Sequence, residues 1–176
     1  TYGMTKAVME ILINDMSRKG YLDGRVARLP TIIVRPGKPN TAASSFASGV
    51  IREPLMGDEC QLPVARDMSI MVGGYRTCVA GLMALLDAPA SAFSDDRVVN
   101  LPNLTTSVDA MISTTQTIAA RRGITLGPIT DTPDETVRAI VGSWPTGMDA
   151  SRALALGCWA DVSLDAIIET FIDDYV

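Results

Sequence analysis

Tyr2 and Lys6 stand four residues apart in a run whose apolar residues, Val8, Ile11, Leu12 and Met16, recur with helical spacing. On a helix that spacing puts a phenol and an ammonium one turn apart on one face. A phenol, with an ordinary pKa of about 10, is a poor base at neutral pH unless a nearby cation stabilises the phenolate. Lys6 can supply that cation. The pair then suits removal of a proton from an alcohol while a hydride leaves the same carbon, or the reverse, which is dehydrogenase chemistry. A surface helix can also carry Tyr and Lys on one face with no function, so the surrounding sequence has to decide. Because the pair stands at the very start, with Thr1 in place of an initiator methionine, we expect the chain to be a fragment of a longer protein.

Composition narrows the chemistry further. The chain has no histidine, which removes Ser-His and Cys-His catalysis and His-ligated metals from these 176 residues. Acid–base work must fall to Tyr, Lys, Asp, Glu or Cys. Cys60, Cys78 and Cys158 are an odd set without metal-ligand spacing and read as reduced thiols of a cytoplasmic protein, and no metal site is expected. A net charge of −5 without a Lys/Arg cluster argues against nucleic acid, whose binding needs clustered positive charge. The longest apolar stretch, Cys78 to Ala88, falls short of the ~20 residues that span a bilayer, so no membrane association is expected.

The elements that must position the pair alternate between helix and strand, an α/β pattern. Residues 2–19 read as a helix stopped by Gly20, and Arg25 to Val34 as one strand buried on both faces, the only long one. Arg35-Pro36-Gly37-Lys38-Pro39-Asn40 must be a loop. Ser44 or Ser45 can cap a helix reaching Leu55; short strands are expected near 60–64, 69–72 and 97–101. Further helices are expected over 75–87, 107–121, 151–156 and 164–175. Thr132-Pro133-Asp134-Glu135 reads as a capping box with proline at the first helical position, opening a helix to about Gly142.

A tyrosine–lysine helix followed by a strand and a Pro-Gly loop resembles the second half of the extended short-chain dehydrogenase/reductases, the family of sugar-nucleotide epimerases and dehydratases. Later segments are similar in the same order. Arg28-Leu29-Pro30-Thr31-Ile32 stands at that family's "R-x-x-N" strand end, and Ala43-Ser44-Ser45-Phe46 where its substrate-binding helix begins. Arg66-Asp67-Met68-Ser69-Ile70-Met71-Val72 is similar to its "R-D-x-x-H-V" strand, Val98-Val99-Asn100-Leu101 to its "V-x-N-x" strand, and Asp149-Ala150-Ser151-Arg152-Ala153 with Leu156-Gly157 to its near-terminal helix. The run Arg28 to Asn40, continuing through Ser44, together with Trp144-Pro145, resembles the branch that holds D-erythronate dehydrogenase. Thr31 in place of the family's Asn, and Ile70 in place of its His, argue more against sugar-nucleotide epimerisation than against hydride transfer. The family's glycine-rich phosphate loop, ribose-binding acid and active-site serine precede the tyrosine and have no counterpart in this sequence.

The resemblance implies an incomplete Rossmann-type parallel sheet, its last strands and helices, joined to a small α/β substrate-binding domain. Residues 1–40 would belong to the NAD-binding domain and 41–176 mainly to the substrate domain, with a returning Rossmann strand and helix near 68–88. It implies NAD as cofactor, with NADP not excluded. Tyr2 would be the general base, and Lys6 would hold the phenolate and the nicotinamide ribose. Pro30, Thr31 and Ile32 would line the nicotinamide, or simply end a buried strand. Ser44 and Ser45 would bind substrate hydroxyls or a carboxylate at the helix N-terminus, or serve only as caps. A sugar-acid substrate needs a guanidinium, for which Arg76 is the first choice and Arg66 the second, each otherwise a surface ion-pair residue. Arg35, Arg52 and Arg138 are further arginines without a specific assignment. A homodimer through the Tyr-Lys helix is expected as in the family. The expected activity is NAD-dependent oxidation of a small, D-erythronate-like sugar acid; the alternatives are a nucleoside-diphosphate-sugar epimerase and a catalytically inert fragment.

Overall fold

Seventeen residues, Tyr2–Arg18, form the first helix, α1, and the chain leaves it through Gly20 at φ 76, a left-handed turn that a side chain would disfavour. The amide groups of Gly20 and Tyr21 donate to the Ser17 and Met16 carbonyls there. The structure, a computed structural model, describes residues 1–38 and 40–176; Pro39, part of the expected loop, lies outside the described residues. The remaining elements are β1 (Val26–Arg28), β2 (Thr31–Ile33), α2 (Ser45–Leu55), β3 (Cys60–Leu62), β4 (Ser69–Gly74), α3 (Tyr75–Asp87), β5 (Val98–Asn100), β6 (Leu104–Ser107), α4 (Val108–Arg122), β7 (Ile129–Asp131), α5 (Glu135–Val141), α6 (Ser151–Ala155) and α7 (Leu164–Tyr175). No helix among the described residues is long and apolar enough to cross a membrane.

The chain divides into two compact units. The first comprises residues 1–29, 76–102 and 149–160. In it β1 and β5 pair in parallel, Val26 opposite Val98 and Arg28 opposite Asn100, over a small core of Leu85, Phe93, Val99, Leu101, Ala153 and Cys158. The helix α1 joins this pair through polar groups. Glu10 accepts two hydrogen bonds from Arg28, at 2.8 and 2.6 Å, and Asn14 accepts the Arg97 amide at 2.8 Å. The Arg28 guanidinium holds the Glu10 carboxyl below its ordinary range. Of the apolar stripe, Val8, Ile11 and Leu12 are exposed and Met16 is half-buried, and the covered face runs through Glu10, Ile13, Asn14, Met16 and Ser17.

The second unit comprises residues 30–75, 103–148 and 161–176 and holds the larger core. Its three-stranded sheet runs β2-β4-β6, with β2 parallel and β6 antiparallel to β4, and a second pair joins β3 to β7 in parallel. Every residue of α2 from Phe46 to Leu55 is buried, and Val50 and Ile51 pack in one core with Ile33, Leu62, Met111, Ile118, Ile168 and Phe171.

Two expectations are corrected. The single strand over Arg25 to Val34 is two strands in two sheets, β1 and β2, and β1 is only partly covered. Pro30, buried between them, has no amide to donate and ends the first ladder. The longest strand is β4, with six residues. The cap of α5 is Asp134, whose carboxylate accepts from the Thr136 and Val137 amides at 2.8 and 3.1 Å, and Pro133 lies before the cap, outside the helix. A capping box read from Thr132 placed the helix start two residues early. The α4 boundaries are as the pattern predicts: the Ser107 hydroxyl accepts from Ala110, and Gly123 ends the helix at φ 69.

Gly127 separates two kinds of local stability. A Cβ at Gly127 would lie 2.1 Å from the Asp58 carbonyl oxygen, a backbone atom that cannot swing away. Gly127→Ala should therefore cost about 2–3 kcal/mol or more by overpacking, whereas Asp134→Ala, which removes a cap, should cost about 1 kcal/mol. Urea unfolding of the two variants checks the order.

Candidate active site

Tyr2 and Lys6 fall on the first turns of α1, as the spacing requires, with the Lys6 Nζ 5.5 Å from the Tyr2 ring centroid. That distance suits a cation over an aromatic ring and leaves the ammonium free to turn toward the phenol oxygen. The Thr5 hydroxyl donates to the Tyr2 carbonyl at 2.7 Å, which fixes the first turn. Tyr2 is 77% exposed, so the phenol faces solvent. Arg76, on the first turn of α3, is also exposed and belongs to the same unit.

The remaining candidates belong to the second unit. Pro30 is buried and Thr31 and Ile32 are half-buried in β2, where Thr31 lies opposite Val72 and Ile32 opposite Gly73. Ser44 and Ser45 are half-buried at the start of α2, but neither hydroxyl caps the helix. Ser44 has helical backbone angles at the cap position, and the Ser45 hydroxyl accepts the Asn40 amide at 3.3 Å. The β2 strand and α2 are tied together. The Ser48 hydroxyl donates to the Ile32 carbonyl at 3.4 Å and accepts the Arg35 amide at 3.1 Å, while Arg52 donates to the Arg35 carbonyl at 2.7 Å. Thr31, Ile32 and Ser45 thus sit on two elements with a shared brace. Arg66 makes a bidentate ion pair with Asp131, Nε and Nη2 each 3.0 Å from a carboxylate oxygen.

A cavity of about 460 Å³ opens beside α2, lined by Ser45, Gly49, Glu53, Glu59, Cys60 and Gln61 among others. Of these only Ser45 was singled out by the sequence as a substrate contact. Glu53 and Arg52 form a buried ion pair, 2.5 Å between Arg52 Nη2 and Glu53 Oε1, and Glu53 Oε2 is buried without a hydrogen-bond partner. The sequence signal for this pair is an adjacent Arg-Glu inside a helix whose other residues are apolar or small. Burial pushes the Cys60 thiol up to about 11, and the Glu53 carboxylate adds to the rise. No cluster of His, Cys, Asp and Glu among the described residues could hold a metal ion.

No family model matches the chain. It is 44% identical over 174 residues to a D-erythronate dehydrogenase of Cupriavidus necator, covering 99% of this chain and 53% of that protein. A D-erythronate dehydrogenase of Haemophilus influenzae is 41% identical over 173 residues, 98% of this chain and 54% of the relative. The chain therefore spans about half the length of the curated relatives it matches. Among solved structures, a nucleoside-diphosphate-sugar epimerase from Agrobacterium tumefaciens superposes with a TM-score of 0.89 at 36% identity, covering 99% of this chain and 50% of that one. An L-threonine dehydrogenase from Cupriavidus necator gives 0.85 at 20% identity, covering 99% and 61%, a likeness of fold alone.

The thiols carry a pH prediction. A Cys60 thiol held up at about 11 keeps its proton in the folded state after an unfolded thiol has lost it. Stability from this group is therefore full below a pH of about 8.5 and falls as pH rises toward the folded value. Alkylation at mildly alkaline pH should modify half-buried Cys78 ahead of Cys60 and Cys158, which peptide mass mapping would read directly.

Proposed function

We propose that this homologue of the D-erythronate dehydrogenases, built on the extended short-chain dehydrogenase/reductase fold, forms part of a nicotinamide-dependent oxidoreductase of small sugar acids. The observation that carries the reading is the Tyr2–Lys6 pair on one face of α1, in a chain alignable over 99% of its length with a protein named for that activity. Tyr2 takes the hydroxyl proton of the substrate, and the Lys6 ammonium stabilises the phenolate and offers donors to ribose hydroxyls. The exposed phenol and ammonium fit the nicotinamide end of a dinucleotide, whereas these residues include no glycine-rich turn for its pyrophosphate. A bound nicotinamide supplies the hydride acceptor. NAD is the preferred form in this reading.

Pro30, Thr31 and Ile32 would meet the coenzyme, and Ser44 and Ser45 the substrate, from the braced β2–α2 pair. Arg76 is the first proposed carboxylate partner and Arg66 the second. Residues 1–40 are assigned to the nucleotide-binding domain, 41–176 mainly to the substrate domain, and the segment near 68–88 to a returning Rossmann strand and helix. The exposed Val8, Ile11 and Leu12 support a homodimer through α1, and the reduced cysteines a cytoplasmic setting. The 36% identity to a nucleoside-diphosphate-sugar epimerase supports a second reading, epimerisation of a sugar nucleotide.

The test uses the full-length protein with D-erythronate and NAD, followed by formation of reduced nicotinamide. Tyr2→Phe should lower kcat by about 100-fold or more with KM little changed, and Lys6→Ala should lower kcat and weaken coenzyme binding together. Unchanged turnover in Tyr2→Phe would overturn the assignment. Turnover of a sugar nucleotide but of no sugar acid would establish the second reading instead.

A further inference from the structure

The cavity beside α2 has a wall whose chemistry the sugar-acid reading does not use. Glu53 is 7% exposed, and its two oxygens are treated differently: Oε1 is bound by Arg52, and Oε2, buried, has no hydrogen-bond partner. A buried carboxylate oxygen left without a donor is costly, and few side chains tolerate it without a reason. Oε2 lies against Gly49: a Cβ built on Gly49 would come 2.9 Å from it. Both residues line the cavity. Glycine inside a helix costs about 1 kcal/mol relative to alanine, so its position over the free oxygen needs an explanation.

From a Glu53 side chain that lines a cavity of about 460 Å³ and carries one buried oxygen without a donor, we propose that Glu53 is a specificity residue that accepts a hydrogen bond from a hydroxyl of a small neutral polyol, or of the polyol tail of a larger ligand. Three features select a hydroxyl. Among the described residues the lining holds the Glu59 carboxylate and the Arg52-paired Glu53 and no Lys or Arg, so it offers no cation to receive a carboxylate group. Arg52 already balances the Glu53 charge, so an ammonium would bring an uncompensated charge to a buried wall, whereas a hydroxyl brings a donor and no charge. Ser45 and Gln61, on the same lining, supply both donors and acceptors for the other hydroxyls of a polyol. A sugar acid would then bind with its hydroxylated end at Glu53 and its carboxylate elsewhere. The inference rests on the sugar-acid reading only for the identity of the natural ligand.

The experiment titrates the protein with erythritol, methylammonium and acetate while amide NMR signals of Gly49, Glu53 and Cys60 are followed. Erythritol should shift these signals saturably, and the two ions should not. Glu53→Gln should weaken erythritol binding about tenfold or more. Because that variant leaves Arg52 without its counter-charge and can lose its fold, Gly49→Ala is the second test. It retains both charged residues, places a methyl group 2.9 Å from Oε2 so that the carboxylate must shift, and should abolish the erythritol response while circular dichroism stays unchanged. No saturable erythritol shift, stronger shifts with methylammonium or acetate, or an undiminished response in Gly49→Ala would each overturn the proposal. None of these readouts requires coenzyme or turnover. Erythritol binding in a full-length protein that oxidises no sugar acid would overturn the oxidoreductase reading and leave this one standing.

Discussion

Two side chains one turn apart on α2 hold both backbone groups of Arg35. The Ser48 hydroxyl takes its amide and Arg52 donates to its carbonyl, so the helix serves the chain leaving β2 as a neighbouring strand would. Such bonds are needed because that segment is covered: Ile33 and Val34 are fully buried, and buried peptide groups must find partners. Bringing Arg52 into this position puts a guanidinium inside a helix with no exposed face. Glu53 compensates it at 2.5 Å. A buried pair of this kind need not add stability over apolar residues of the same size, but removing one partner strands the other charge. The rotation and depth of α2, and with them the placement of Ser45, Gly49 and the cavity wall, follow from this arrangement.

The same arrangement limits what can bind beside the helix. The positive end of a helix dipole favours an anion, and on that ground Ser44 and Ser45 read as able to bind a carboxylate as well as substrate hydroxyls. The structure adds Glu53 and Glu59 to the same lining, and neither was weighed in the sequence. A carboxylate repels an approaching carboxylate more strongly than one helix end attracts it wherever water is scarce, since the dipole is equivalent to only about half a charge. Hydroxyl recognition satisfies both features, because a hydroxyl donates to Glu53 and accepts from an amide.

What the sequence made legible follows from where its signals come from. Helix ends were readable at Gly20, Gly123 and Asp87 because glycine and proline act locally. The break inside residues 25–34 was harder, since Val26 to Val34 is apolar apart from Arg28 and Thr31 and only Pro30 marks the change of sheet. The strands β6 and β7 were not expected at all. Leu104–Ser107 and Ile129–Asp131 are three or four residues long, and pairing with β4 and β3 decides them, which is non-local information. The Tyr2–Lys6 pair was visible as a spacing, whereas Glu53 was not, because its significance depends on burial and on a glycine one turn away. Among the arginines, the sequence could not tell Arg66, paired with Asp131, from Arg52, which braces a strand end.

The outward face of α1 carries a last consequence for the chemistry. An ammonium and a phenolate about 5 Å apart attract by only about 0.8 kcal/mol in bulk water, and by about 3 kcal/mol at an effective dielectric of 20. With Tyr2 exposed to solvent, Lys6 works near the first of these limits. On the proposed reading, molecules bound at the pair displace water from around it, so coenzyme and substrate would do more than present the reacting atoms: by drying the helix face they would strengthen the Lys6 interaction with the phenolate. That reading couples catalysis to occupancy without a moving part. It also fits a helix docked through Glu10 and Asn14, polar contacts in its second half: the docked end fixes direction, and the first turn, which carries the proposed pair, stays open.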